Sequence, residues 1–129
     1  FLNGQPIHVS AVDDFSRSLV SIGTSPYFKE MAKENFSIFQ TIFENCEDIR
    51  RIGSAALDLA YVATGRLEAY LEKRLNPGIF AAGVLLVQEA GGCVTDYSGG
   101  PLDVTQTADI FAGNGIIDRK IRKELLHWE

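Results

Sequence analysis

Apolar positions along this chain fall into short alternating runs and longer helical stripes that take turns. Residues 48–52 can extend as a strand, and Gly53-Ser54 supplies a tight turn after it. Residues 55–64 then read as helix, because Ala55, Ala56, Leu59, Val62 and Ala63 fall on one broad small-apolar face. Gly65 stands where a helix stop favours a residue that tolerates the left-handed conformation. Over 66–72 the period changes to two, with Leu67, Ala69 and Leu71 alternating against Glu68, Tyr70 and Glu72. Asn76-Pro77 opens a second helix over 78–90, with Asn as cap and Pro at the first helical position. That helix is apolar nearly all round, which predicts burial on every side, and Gly91-Gly92 ends it.

The flanks follow the same alternation. Residues 1–9 read as a hairpin turning at Asn3-Gly4, with Pro6 confined to an edge or a strand entry. His8 stands alone and reads as outward-facing, and Asp13-Asp14 reads as a turn or cap. Residues 18–23 form a short apolar strand. Ser25-Pro26 then starts a long helix whose core stripe is Phe28, Ala32, Phe36, Phe39 and Phe43, widened by Tyr27, Met31, Ile38 and Ile42. After the central block come a strand over 93–97, a turn over 98–101, a polar loop over 102–109 and a buried strand over 110–113. A last amphipathic helix covers 117–128 on Ile117, Ile121, Leu125 and Trp128. Strands alternating with helices predict the α/β class: a layered sheet of about five strands flanked by helices, organised as a single domain over 1–129.

Composition narrows the function classes. The chain has 129 residues, enough for one genuine core, and carries 17 acidic against 12 basic residues, a net charge of -5. With no Lys/Arg cluster to reverse it, that balance excludes a nucleic-acid backbone as partner. No apolar run reaches the roughly 18 residues of a membrane span, and no secretory leader is read at the start, so the expected location is the cytoplasm. Cys46 and Cys93 are too few and too far apart for a disulfide framework or a zinc site; they read as small buried hydrophobes in a reducing compartment. The chain opens on Phe1 rather than Met, as a processed product or a piece of a longer protein would.

Few residues are left to carry chemistry. There is no Ser-His-Asp or Cys-His arrangement, no CxxC pair, no P-loop, and no GxGxxG opening a helix. Gly53-Ser54 lies at a helix start, where free backbone N–H groups suit an anion or a sugar hydroxyl; the same pair also serves as a simple cap and turn. Glu72 ends a strand, where open α/β sheets place ligands; a solvated strand end is the other reading.

The central block resembles the C-terminal lobe of the inositol monophosphatase family of magnesium-dependent phosphatases. The resemblance is carried by Arg50 with the run from Gly53 to Asp58, by Ala63-Thr64-Gly65-Arg66-Leu67-Glu68-Ala69-Tyr70-Leu71-Glu72, by Pro77 with Ala81-Ala82-Gly83, and by Glu89-Ala90-Gly91-Gly92 before Cys93-Val94-Thr95-Asp96. The opening FLNGQPIHVS is similar to the hairpin that follows the family's main catalytic motif. The resemblance implies hydrolysis of a small phosphomonoester by metal-activated water, without a covalent intermediate. It makes Gly53, Ser54, Ala55 and Glu72 contacts to a phosphorylated polyol. It also implies magnesium as cofactor of the full-length enzyme, and a homodimer or association through the exposed face of the lobe.

Two departures accompany it. The Asp-Pro-(Ile/Leu)-Asp-Gly-Thr motif that carries most of the family's metal ligands occurs nowhere in this sequence. The family's Trp-Asp after the helix-opening Pro is here Gly78-Ile79, so Ile79 occupies the position of a metal-ligating Asp. An isoleucine offers no lone pair to a hard cation. The expectation is a lobe that shapes the polyol pocket, is inactive alone and holds no metal by itself. The alternative is a non-catalytic binding or assembly module, a pseudoenzyme retaining the fold.

Overall fold

The structure is a computed structural model, and it describes residues 6–127. Its elements follow the chain as β1 (Leu19–Ile22), α1 (Ala32–Phe43), β2 (Asp48–Arg50), α2 (Ala55–Ala63), β3 (Ala69–Leu75), α3 (Pro77–Glu89), β4 (Cys93–Thr95), β5 (Ala108–Gly113) and α4 (Ile117–Lys120). Single 3-10 turns occur at Phe15–Arg17 and Lys29–Met31, and a π-helical turn, Ile121–Leu125, continues α4. The strands form one five-stranded sheet in the order β2-β1-β3-β5-β4. β1 runs parallel to both β2 and β3, whereas β5 is antiparallel to β3 and β4. The sheet is therefore mixed, and the α/β class read from the sequence is the class observed.

Helices cover both faces. On one face α2 and α3 pack Leu59, Val62, Phe80, Val84 and Val87 against Tyr70, Ile110 and Ala112. On the other, Ile38, Phe39 and Ile42 of α1 and Ile117 and Ile121 pack against Val20, Leu71 and Phe111. β3 is sandwiched between the two, which is why Ala69, Tyr70 and Leu71 are all buried and the expected period-two alternation is lost.

Several expectations are corrected. The helix expected from Ser25-Pro26 begins at Ala32, because Ser25 takes a left-handed φ of 51° and its carbonyl accepts the Phe28 N–H at 2.9 Å, closing a turn around Pro26 and Tyr27. The buried side of α1 is Asn35, Ile38, Phe39 and Ile42, while Phe36 is 56% exposed and Phe43 and Tyr27 also face solvent. The burial of α3 is one-sided: Ile79, Ala81, Ala82 and Leu85 are exposed, since among the described residues none covers the side away from α2 and the sheet. In α2, Ala56 is exposed and Asp58 is buried in its stead. Cys46 is half-buried and Cys93 is exposed on the edge strand β4. The Asn3-Gly4 turn and Trp128 lie outside the described residues, and residues 6–9 form no strand. Asp14 does act as a cap, its carboxylate accepting the Ser16 N–H.

Candidate functional site

Three parallel strands end on the same side of the sheet, and the segments leaving them enclose a cleft of about 420 Å³. Gly23 and Thr24 follow β1, Arg51, Gly53, Ser54, Ala55 and Ala56 follow β2, and the end of β3 contributes Glu72 to Leu75 with Asn76 and Ile79 of the α3 start. All four residues assigned from the sequence to a polyol, Gly53, Ser54, Ala55 and Glu72, line this one cleft, as does Ile79. Glu72 is the one acid among its lining residues.

Local chemistry explains the walls. Gly53 holds a φ of 84°, which a residue with a Cβ adopts only at a cost, and so turns the chain from β2 into α2. Ser54 caps α2: its hydroxyl accepts the Leu57 N–H at 3.3 Å and its carbonyl the Asp58 N–H at 2.9 Å. The N–H groups of Ala55 and Ala56 have no partner among the described residues and stand at the positive end of the helix dipole. Asn76 caps α3 in the same manner, its side-chain oxygen accepting the Gly78 N–H at 2.9 Å.

Glu72 is fixed by two neighbours. The buried Tyr70 hydroxyl donates to its Oε1 at 2.5 Å, and Gly23 leaves the space its carboxylate fills. A Cβ at position 23 would stand 2.0 Å from Glu72 Cδ, so only a glycine admits the side chain there. Burial, and then the Glu72 charge, push the Tyr70 hydroxyl well above its ordinary range, so it stays a donor. Below Glu72, Asp58 accepts a hydrogen bond from the Ser21 hydroxyl of β1. Burial is the main cause that pushes its carboxyl up to about 6; the Ser21 hydrogen bond and Arg51 oppose that rise, and Glu72 adds to it.

Sequence reading missed Gly23, Thr24, Arg51, Asp58, Tyr70 and Arg74. The signal available for Asp58 was a lone acid on an otherwise apolar helix; for Gly23 and Thr24 it was their place at the end of a parallel strand.

The model of the inositol monophosphatase family matches residues 1–127. The chain belongs to that family. Among curated relatives, Nus factor SuhB of Escherichia coli is 44% identical over 113 residues, covering 88% of this chain and 42% of its own length. Inositol-1-monophosphatase of Synechocystis is 39% identical over 124 residues, covering 96% of this chain and 43% of its own. An inositol monophosphatase structure from Anabaena superposes over 98% of this chain and 50% of its own, with 38% identity and a TM-score of 0.86. The chain therefore spans about half the length of the relatives it matches, and over that half its fold matches the Anabaena structure.

A magnesium ion demands near-octahedral oxygen coordination. Glu72 alone cannot supply it, Ile79 (52% exposed in the cleft wall) adds no donor, and the described residues contain no group of three metal-capable side chains. The described residues by themselves offer no donor set that fits the family's metal. No helix among the described residues is long and apolar enough to cross a membrane.

Proposed function

We propose that this chain is the C-terminal-lobe half of a phosphomonoesterase of the inositol monophosphatase type, and that its cleft receives the polyol of a phosphorylated polyol. One observation carries the reading: Gly53, Ser54, Ala55 and Glu72, the residues that the family resemblance assigns to the polyol, all line a single cleft at the carboxyl ends of parallel strands. The family match over 1–127 supports it. Glu72 would accept hydrogen bonds from two hydroxyls, and the free N–H groups at the α2 start would face the remaining oxygens. In this proposal the residues act as one domain, work in the cytoplasm, and pair as a homodimer in the parent enzyme.

The proposal includes inactivity of the chain alone. Ile79 takes the position of a ligating Asp, and metal-assisted hydrolysis needs ligands that fix both ion and water. With magnesium and inositol monophosphate, phosphate release should not saturate, and Ile79→Asp should not rescue it, because one carboxylate cannot hold a catalytic magnesium. Adding myo-inositol to the labelled chain should shift the backbone amides at Gly53, Ser54, Ala55 and Glu72. Saturable turnover would overturn the claim of inactivity. Unshifted amides would overturn the pocket.

A second reading, a non-catalytic assembly module, is favoured by one feature: Leu57 of α2 and Ile79 and Leu85 of α3 expose large apolar side chains.

A further inference from the structure

The cleft holds two guanidinium groups that the polyol contacts leave unused. Arg51 follows β2, Arg74 sits at the irregularity between Glu72 and Leu75 in β3, and both line the cavity. Neither has an ion-pair partner among the described residues, whereas Arg50 pairs with Asp48 and Lys73 with Glu34. Arg51 makes one long contact, its Nε donating to Thr24 Oγ1 at 3.4 Å. Arg74 lies over Phe28, 4.8 Å from the ring centroid.

The backbone beneath Arg74 marks the spot. Its φ is 57°, and Ser25, which lines the same cleft, has a φ of 51°. An L-residue at such a φ carries steric strain that a glycine would not, and strain of this kind persists at ligand sites when the surroundings hold it. Here Asp109 holds it, its Oδ1 accepting the Arg74 N–H at 3.0 Å.

Charge points the same way. With Lys73 neutralised by Glu34, the lining keeps two cations, Arg51 and Arg74, against the single carboxylate of Glu72. The unpartnered N–H groups of Ala55 and Ala56 add partial positive charge. Where a carboxylate at position 79 would recruit a cation, Ile79 presents methyl groups.

We propose that Arg51 and Arg74 form an anion pole that holds the phosphate of a phosphorylated polyol directly, without a divalent cation. A guanidinium fork matches two phosphate oxygens at once, which suits direct capture. The inference rests on the polyol reading of the Glu72 end, and the test separates the two.

Titrate the 129-residue chain calorimetrically with myo-inositol monophosphate and with myo-inositol, each in EDTA and in magnesium. In EDTA the phosphate ester should bind about tenfold tighter than inositol, the weight of one charge-assisted hydrogen bond, and magnesium should add nothing. Arg51→Gln and Arg74→Gln should each weaken the ester several-fold and leave inositol unchanged, while Glu72→Gln should weaken both. Arg74→Gly should raise the melting temperature, as the left-handed strain is relieved, and still weaken the ester. Equal affinity for ester and inositol, ester binding that appears only with magnesium, or ester binding that survives both arginine substitutions overturns the anion pole and leaves the polyol reading standing. No binding of either ligand, or binding of both that ignores Glu72→Gln, overturns the polyol reading itself.

Discussion

Asp58 lies in the first turn of α2, where the helix dipole welcomes a carboxylate, and yet its side chain is cut off from water at 1% exposure. Burial wins, and the carboxyl rises to about 6 with the Glu72 charge adding to the effect. An unfolded aspartate titrates near about 3.9, so between about 4 and about 6 the folded chain holds a proton that the unfolded chain has lost. Stability therefore falls as pH rises through that window and is lowest above it. Asp58→Asn keeps the shape and an acceptor for Ser21 but does not titrate. It should be more stable than the parent by about 1–3 kcal/mol above the window, with the gain shrinking towards zero below about pH 4. Urea melts across pH would detect this; a constant offset would refute it. Gly53, Ser54, Ala55 and Glu72 could be picked out because the family resemblance marks each of them, and all four line one cleft. Asp58 could not, because its meaning depends on Ser21, 37 residues away on another strand.

Burial was misread where apolar residues surround the helix, as on α1 and α3, each of which buries one side only. On α1 the expected stripe holds for Ile38, Phe39 and Ile42, which reach the sheet, and fails for Phe36 and Phe43, roughly a quarter turn away, which face solvent. Spacing places apolar residues on arcs; which arc meets a neighbour is decided by the neighbour. The pairing of α2 with α3 is tighter than either helix reveals in sequence. A Cβ at Gly83 would stand 2.5 Å from Leu59 Cδ1 and 2.8 Å from Leu59 Cβ. Gly83→Ala improves helix propensity by about 1 kcal/mol, yet overpacking of this kind costs about 1–3 kcal/mol. A net loss of stability is expected. Adding Leu59→Ala should make the glycine substitution nearly harmless, giving a coupling above about 0.5 kcal/mol in a double-mutant cycle. Additive effects would place the strain elsewhere.

At the scale of the molecule, the class and the number of strands followed from alternation, while strand order did not. β5 inserts between β3 and β4, and β1 between β2 and β3, and such pairings are tertiary choices with no local signature. The same packing leaves Leu57, Ile79 and Leu85 of the α2 and α3 pair uncovered. Exposed apolar side chains grouped on one pair of helices favour association. The chain should show a sedimentation coefficient that rises with concentration, and Leu85→Lys should lower that rise. A concentration-independent monomer would mean that this surface is self-sufficient.

The sheet ends on both sides in a strand of three residues, β2 and β4, and β2 carries the charged pair Asp48 and Arg50. Edges this short, and charged in the case of β2, give an incoming chain few backbone groups to extend, so they make poor seeds for cross-β growth. Clusters formed by this chain should then be built from folded units meeting through helices, dispersing on dilution and binding no amyloid dye.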